Sequence, residues 1–133
     1  MFLKYNWPGI LWLIIILILV GTPGNYFPKV SSFWDWLKPD KFVHLIIYGI
    51  LVILLIRGFS KQYKYIKLCL YSRQTALIFG IFFGLLTEVL QKFVFIGRHA
   101  SIYDFFANTL GCLLGLLIYT LINRKIKRKI GNL

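Results

Sequence analysis

Acidic side chains are nearly missing from this 133-residue chain: Asp35, Asp40, Glu88 and Asp104 stand against sixteen lysines and arginines. Charged residues of both signs reach only 15%, whereas hydrophobic residues make up 59%. So little polar surface cannot cover a soluble domain of this size, and a water-soluble fold is excluded. Cysteine is equally scarce. Cys69 falls in a basic connector and Cys112 in the middle of an apolar run, so two free thiols are expected rather than a disulfide. The chain has no phosphate-cradling loop, nucleophile elbow or dinucleotide fingerprint, which excludes soluble nucleotide chemistry. It has no compact metal motif either, and no cofactor is assigned. The net charge of +12 would suit nucleic acid, but the bases cluster at the ends of apolar runs. That placement is what orientation in a bilayer requires, so membrane lipids are the expected partners and nucleic acid is not.

The apolar runs predict an all-α integral membrane four-helix bundle. It forms a single domain over residues 1–133, with spans at about 5–22, 41–57, 75–96 and 102–122. Eighteen residues in the first run give about 27 Å of helix, marginal for a hydrocarbon core of about 30 Å. A signal peptide with Lys4 as its basic end is the rival reading, but Thr22-Pro23-Gly24 is a poor cleavage site, so a retained helix is expected. Eleven basic residues then fall on one side: Lys4, five from Arg57 to Arg73, and five from Arg124 to Lys129. Lys29, Lys38, Lys41, Lys92 and Arg98 fall on the other. The positive-inside rule puts both termini in the cytoplasm. The acids and both histidines, His44 and His99, then lie outside or in the outer half of the bilayer. In the outer connector Tyr26, Phe27, Phe33, Trp34 and Trp36 read as an interfacial belt, with Ser31–Leu37 flat on the surface. The inner connector mixes bases with Tyr63, Tyr65 and Ile66, which fits adhesion to an anionic leaflet or plain solvated anchoring.

Three polar helix faces are expected at one depth. Asp40, His44 and Tyr48 recur every four residues on the second span, with Lys41 alongside. Glu88 and Gln91 share a face of the third, and Asp104 and Asn108 share one of the fourth. A carboxylate within a span costs about 2.5–3.5 kcal/mol on insertion scales, so Glu88 must face the bundle. Its candidate partners are Lys41, His44 and Arg98; the arginine can fork onto a carboxylate or a phosphate. The pairs Gly80/Gly84 and Gly111/Gly115 predict close packing of spans three and four as an antiparallel hairpin. His44, Glu88, Asp40 and Asp104 are assigned to acid–base work, and Lys41, Tyr48, Gln91, Arg98 and Asn108 to holding a ligand. Plain structural readings stand beside these. Asn108 also reads as interhelical glue, Asp104 as a helix cap, Tyr48 as a core tyrosine and His99 as a solvated turn residue.

The pattern Asp40-Lys41-x-x-His44-x-x-x-Tyr48, then Glu88-x-x-Gln91, then Arg98 through Asp104, Asn108 and Gly111, resembles the VanZ-like family. Thr22-Pro23-Gly24 and Phe27-Pro28 fit the same pattern, and the resemblance runs over roughly residues 20 to 118. Leu45 departs from it conservatively, since an aromatic commonly follows the histidine. The family takes its name from a bacterial protein linked to low-level teicoplanin resistance. The resemblance implies a four-helix protein of the bacterial cytoplasmic membrane and a link to the cell envelope, without a settled biochemical activity.

Three functions fit these residues. One is an enzyme acting on an anionic envelope lipid or lipid-linked precursor, with Arg98 and Lys41 holding the anion and His44 paired with Glu88 or Asp40. A variant of it places a divalent cation on His44, Glu88 and Asp104. The second is a binding module for such a precursor or a glycopeptide, without turnover. The third, a proton or ion pathway through Glu88 and His44, would need a homo-oligomer. The orientation common to all three is directly testable. In a background lacking Cys69 and Cys112, a cysteine at Ser32 is expected to react with an impermeant thiol reagent from outside, and one at Asn132 is not. Reversed labelling would overturn the topology.

Overall fold

The computed structural model describes residues 2–22, 39–94 and 102–132, with side chains in the middle segment from Lys41 onward. It has helices α1 (Phe2–Gly21), α2 (Pro39–Phe59), α3 (Ile66–Leu70), α4 (Ser72–Phe93) and α5 (Ile102–Gly131), and no strand among the described residues. All but the short α3 are long and apolar enough to cross a membrane. At 1.5 Å per residue α1, α2 and α4 run about 30–33 Å, which matches the hydrocarbon thickness.

The helices overrun the apolar stretches in places. α1 starts at Phe2, ahead of the expected Tyr5, and includes Pro8. The missing Pro8 N–H removes only the rung to the Lys4 carbonyl. α4 starts at Ser72 rather than Thr75, and its helical residues end at Phe93. α5 continues past Ile122 to Gly131, carrying Arg124 to Lys129 on a rigid rod. Isoleucine, lysine and arginine sustain that extension without a breaker before Gly131, although a purely apolar criterion stops short of it. The aromatic stretch Ser31–Leu37, Arg98 and His99 lie outside the described residues. Both cysteines are free thiols.

α2 is the central helix, and Ile47, Tyr48, Leu51, Val52, Leu55, Ile56 and Phe59 on it are buried. α1 packs on one side of it through Ile16 and Val20, and Trp12 Nε1 donates to the Ile47 carbonyl at 2.8 Å. Without water, a backbone carbonyl that accepts a second donor is useful interhelical glue. Ile78, Phe82, Leu110 and Leu117 stay exposed on the outer surface, as lipid-facing side chains should.

The glycine pairs divide their work differently from the expected hairpin. Gly80 and Gly84 do face α5, but Gly111 and Gly115 back onto α2. A Cβ at Gly111 would run into the Leu45 carbonyl, and one at Gly115 into the Gly49 carbonyl. A Cβ at Gly49 would come to 3.2 Å from the Gly111 carbonyl oxygen. The closest pair is therefore α2–α5, running parallel, rather than α4–α5. The reason is Gly49: a third small residue, facing Gly111 and Gly115, lets both backbones touch.

This contact predicts a sharp contrast. Gly111→Ala must push α2 and α5 apart and is expected to destabilise the protein by about 1–3 kcal/mol, as overpacking does. Gly131→Ala meets nothing within 4 Å and is expected to be neutral or slightly stabilising. Thermal unfolding in detergent measures both, and equal effects would refute the backbone contact.

Candidate functional site

Helical spacing and the register at the glycines build the site layer by layer. A Cβ at Gly80 would lie 2.9 Å from Val52 Cγ2 and 3.0 Å from Cys112 Sγ. One turn along, a Cβ at Gly84 would lie 3.4 Å from Tyr48 Cε1 and 3.1 Å from Asn108 Cβ. Each helix has moved by four residues between these levels. A further step of four brings Glu88 level with His44 and Asp104. Three helices thus stack an apolar layer (Gly80, Val52, Cys112), an amide and phenol layer (Gly84, Tyr48, Asn108) and a titratable layer (Glu88, His44, Asp104).

All three titratable side chains are sequestered, with His44 at 5%, Glu88 at 6% and Asp104 at 9% exposure. None is left without an interaction. His44 Nδ1 lies 2.8 Å from Asn108 Oδ1, a buried contact across 64 residues of sequence. An amide carbonyl can only accept, so Nδ1 carries the hydrogen. In the neutral ring Nε2 is then the nitrogen without a hydrogen, and Asn108 fixes the ring's orientation. Asn108 itself is fully buried, and its Nδ2 has no hydrogen-bond partner among the described residues.

The layer below is a directed chain. Thr87 Oγ1 donates to the Gly84 carbonyl at 2.9 Å, so the Tyr48 hydroxyl, 2.6 Å from Thr87 Oγ1, is the donor in that pair. Its proton is committed within the protein. Tyr48 is fully buried and its ring lies 6.3 Å from Phe83, centroid to centroid.

The remaining predicted site residues are spread around this centre. Gln91 is buried and donates Nε2 to the Val20 carbonyl at 3.4 Å, tying α4 to the end of α1. Lys41 places Nζ 4.6 Å above the Tyr103 ring, a cation–π contact between α2 and the first turn of α5. The Asp40 side chain and Arg98 lie outside the described residues. No three His, Cys, Asp or Glu side chains among the described residues are grouped to hold a metal ion, so His44, Glu88 and Asp104 do not form a ready cation site. Thr87 and Gly49 escaped the sequence reading. The signal for Thr87 was its position three residues after Gly84 and beside Glu88, on a face already marked as polar.

The polar residues that carry this site belong to a recognisable pattern: the VanZ/LLP1 family model matches residues 8–123. The chain belongs to the VanZ/LLP1 family. The second and third spans, most of the first and fourth, and the polar positions on α2, α4 and α5 fall inside the matched stretch. No curated protein and no solved structure matches the chain.

The hydrogen bonding of this VanZ/LLP1 member predicts a single histidine tautomer. In nitrogen-15 NMR, neutral His44 is expected to carry its hydrogen on Nδ1, with the signal assigned by its loss in His44→Gln. Asn108→Ala is expected to shift that tautomer balance and to cost about 1–3 kcal/mol, because it leaves a buried donor unmade. Asn108→Asp keeps an acceptor and should preserve the Nδ1–H form. An Nε2–H form in the wild type would contradict the assignment.

Proposed function

We propose that this VanZ/LLP1 protein acts on an anionic lipid or lipid-linked precursor of the cell envelope, at a site opening toward the extracytoplasmic side. The observation that supports this reading most is the buried contact between His44 Nδ1 and Asn108 Oδ1. It holds one imidazole nitrogen and presents the other at the level of Glu88 and Asp104, a grouping suited to proton transfer at a bound headgroup. Lys41 and Arg98 would hold the anion, with Asp40 next to Lys41 in the sequence. Gln91 would support the site from α4. Both termini are then cytoplasmic, in a bacterial inner membrane, as the basic residues of the inner connector and tail argue.

A second reading, binding without turnover, draws support from the Tyr48–Thr87–Gly84 chain. Every hydroxyl hydrogen in that layer is already donated within the protein, so no activated hydroxyl nucleophile stands ready. A reaction would have to use water or a carboxylate. An ion pathway is disfavoured by the floor of the site, where Leu51, Val52, Ile56 and Ala76 are fully buried. A role in glycopeptide tolerance would follow from altered supply or exposure of an envelope precursor.

Glu88→Gln distinguishes a working carboxylate from structural glue, since it keeps shape and hydrogen bonding while removing charge. It is expected to abolish function in an envelope-stress or antibiotic-sensitivity assay, with His99→Ala retaining it. Full activity of Glu88→Gln would sink the ionic site. Lipid co-purifying with wild type is expected to be lost in Arg98→Ala. Conversion of that lipid by purified protein, abolished in His44→Ala, would separate the enzyme from the binder.

A further inference from the structure

The opposite end of the bundle holds a cleft that the His44 site does not use. Lys4 and Tyr5 of α1, Arg57 of α2 and Lys61 of the next turn line a cavity of about 290 Å³, with Trp7 and Leu54 also in its wall. Lys4 Nζ and Lys61 Nζ lie 5.9 and 6.0 Å from the centroid of the same Tyr5 ring. No acidic residue occurs in the sequence before Asp35 or between Asp40 and Glu88, so neither α1 nor the turn after α2 offers a counter-charge. Cations gathered around one cleft repel each other unless an anion sits among them, and the low dielectric of a membrane boundary strengthens both effects.

The cleft is held by buried groups rather than by flexible surface chains alone. Gln62 is 2% exposed, and its Nε2 lies 3.3 Å from both the Phe2 and Gly58 carbonyl oxygens, joining the start of α1 to the end of α2. A Cβ at Gly58 would run into Asn6 Oδ1 and come to 3.0 Å from the Tyr5 carbonyl oxygen. The two helix ends therefore meet at a glycine, which brings Lys4 and Tyr5 beside Arg57.

We propose that this cleft binds the phosphate of an anionic phospholipid from the leaflet it meets. The guanidinium can fork onto phosphate oxygens while the two ammonium groups add point charge. A volume of about 290 Å³ suits a headgroup. Free phosphate would make no use of the apolar wall. Trp7 is 61% exposed and Leu54 stands next to the site, so acyl chains can continue from the headgroup along α1 and α2.

Native mass spectrometry of the full chain in neutral detergent tests this with phosphatidylglycerol and phosphatidylcholine as probes. One phosphatidylglycerol is expected to be retained, and phosphatidylcholine is not. Retention should fall about fivefold for each cation removed in the series Lys4→Gln, Arg57→Gln and Lys61→Gln. Neutralising Lys125, Lys127 and Lys129 on the tail should leave it unchanged. Should the combined pocket variant not be recoverable, Arg57→Lys and Arg57→Gln are compared, and the second is expected to lose more lipid because it removes the charge as well as the fork. Undiminished retention by the pocket variants, equal loss in the tail variant, or equal retention of phosphatidylcholine would overturn the proposal. So would millimolar inorganic phosphate that displaces the lipid and stabilises the protein equally, since the cleft would then take free phosphate.

Discussion

Backbone contact between α2 and α5 is the constraint on which the rest of the molecule depends. At Gly49, Gly111 and Gly115 the two helices approach until carbonyls occupy the space that Cβ atoms would need. In hydrocarbon the hydrophobic effect does not drive helices together, so close packing of this kind carries much of the association. It also fixes register. Once Leu45 sits against Gly111 and Gly49 against Gly115, His44 can reach Asn108. Gly84 then admits both Asn108 and Tyr48, and the remaining layers follow by helical repeat.

The second organising force is the penalty for an unmade hydrogen bond away from water. Several polar side chains of the interior meet it with partners drawn from neighbouring helices. Trp12 uses a carbonyl of α2, Gln91 a carbonyl of α1, Tyr48 the hydroxyl of Thr87, and His44 the amide of Asn108. Each bond ties elements distant in sequence, so the groups that make the site chemically interesting also hold its walls. Glu88 and Asp104 add what such a network does not need for stability alone, namely two carboxylates at the level of an oriented imidazole. Replacing that layer by apolar residues would be the simpler way to build a stable bundle.

The two ends of the bundle differ in charge as sharply as in structure. One gathers the buried acids Glu88 and Asp104 with His44 and Asn108, and Lys41 and Lys92 are its bases among the described residues. The other gathers bases with no acid nearby: Lys4, Arg57, Lys61 and the helical tail of α5. An apolar middle, with Leu51, Val52, Leu55, Ile56 and Ala76 buried, separates the two ends.

The sequence by itself determined the class and the depth of the polar residues. Apolar runs of span length between basic connectors leave no soluble solution, and four-residue spacing places Asp40, His44 and Tyr48 on one face wherever the helix packs. Insertion cost alone forces Glu88 inward, and it is buried. Partner choice was not legible, because a glycine pair states that something approaches closely without stating what. Only the packed bundle decided that Gly111 and Gly115 meet α2, that the Tyr48 hydroxyl donates to Thr87, and that His44 is oriented by Asn108 rather than by a carboxylate at Nδ1. Those outcomes depend on the shapes of facing surfaces, and helical periodicity, which ranks positions around one axis, carries no information about the axis beside it.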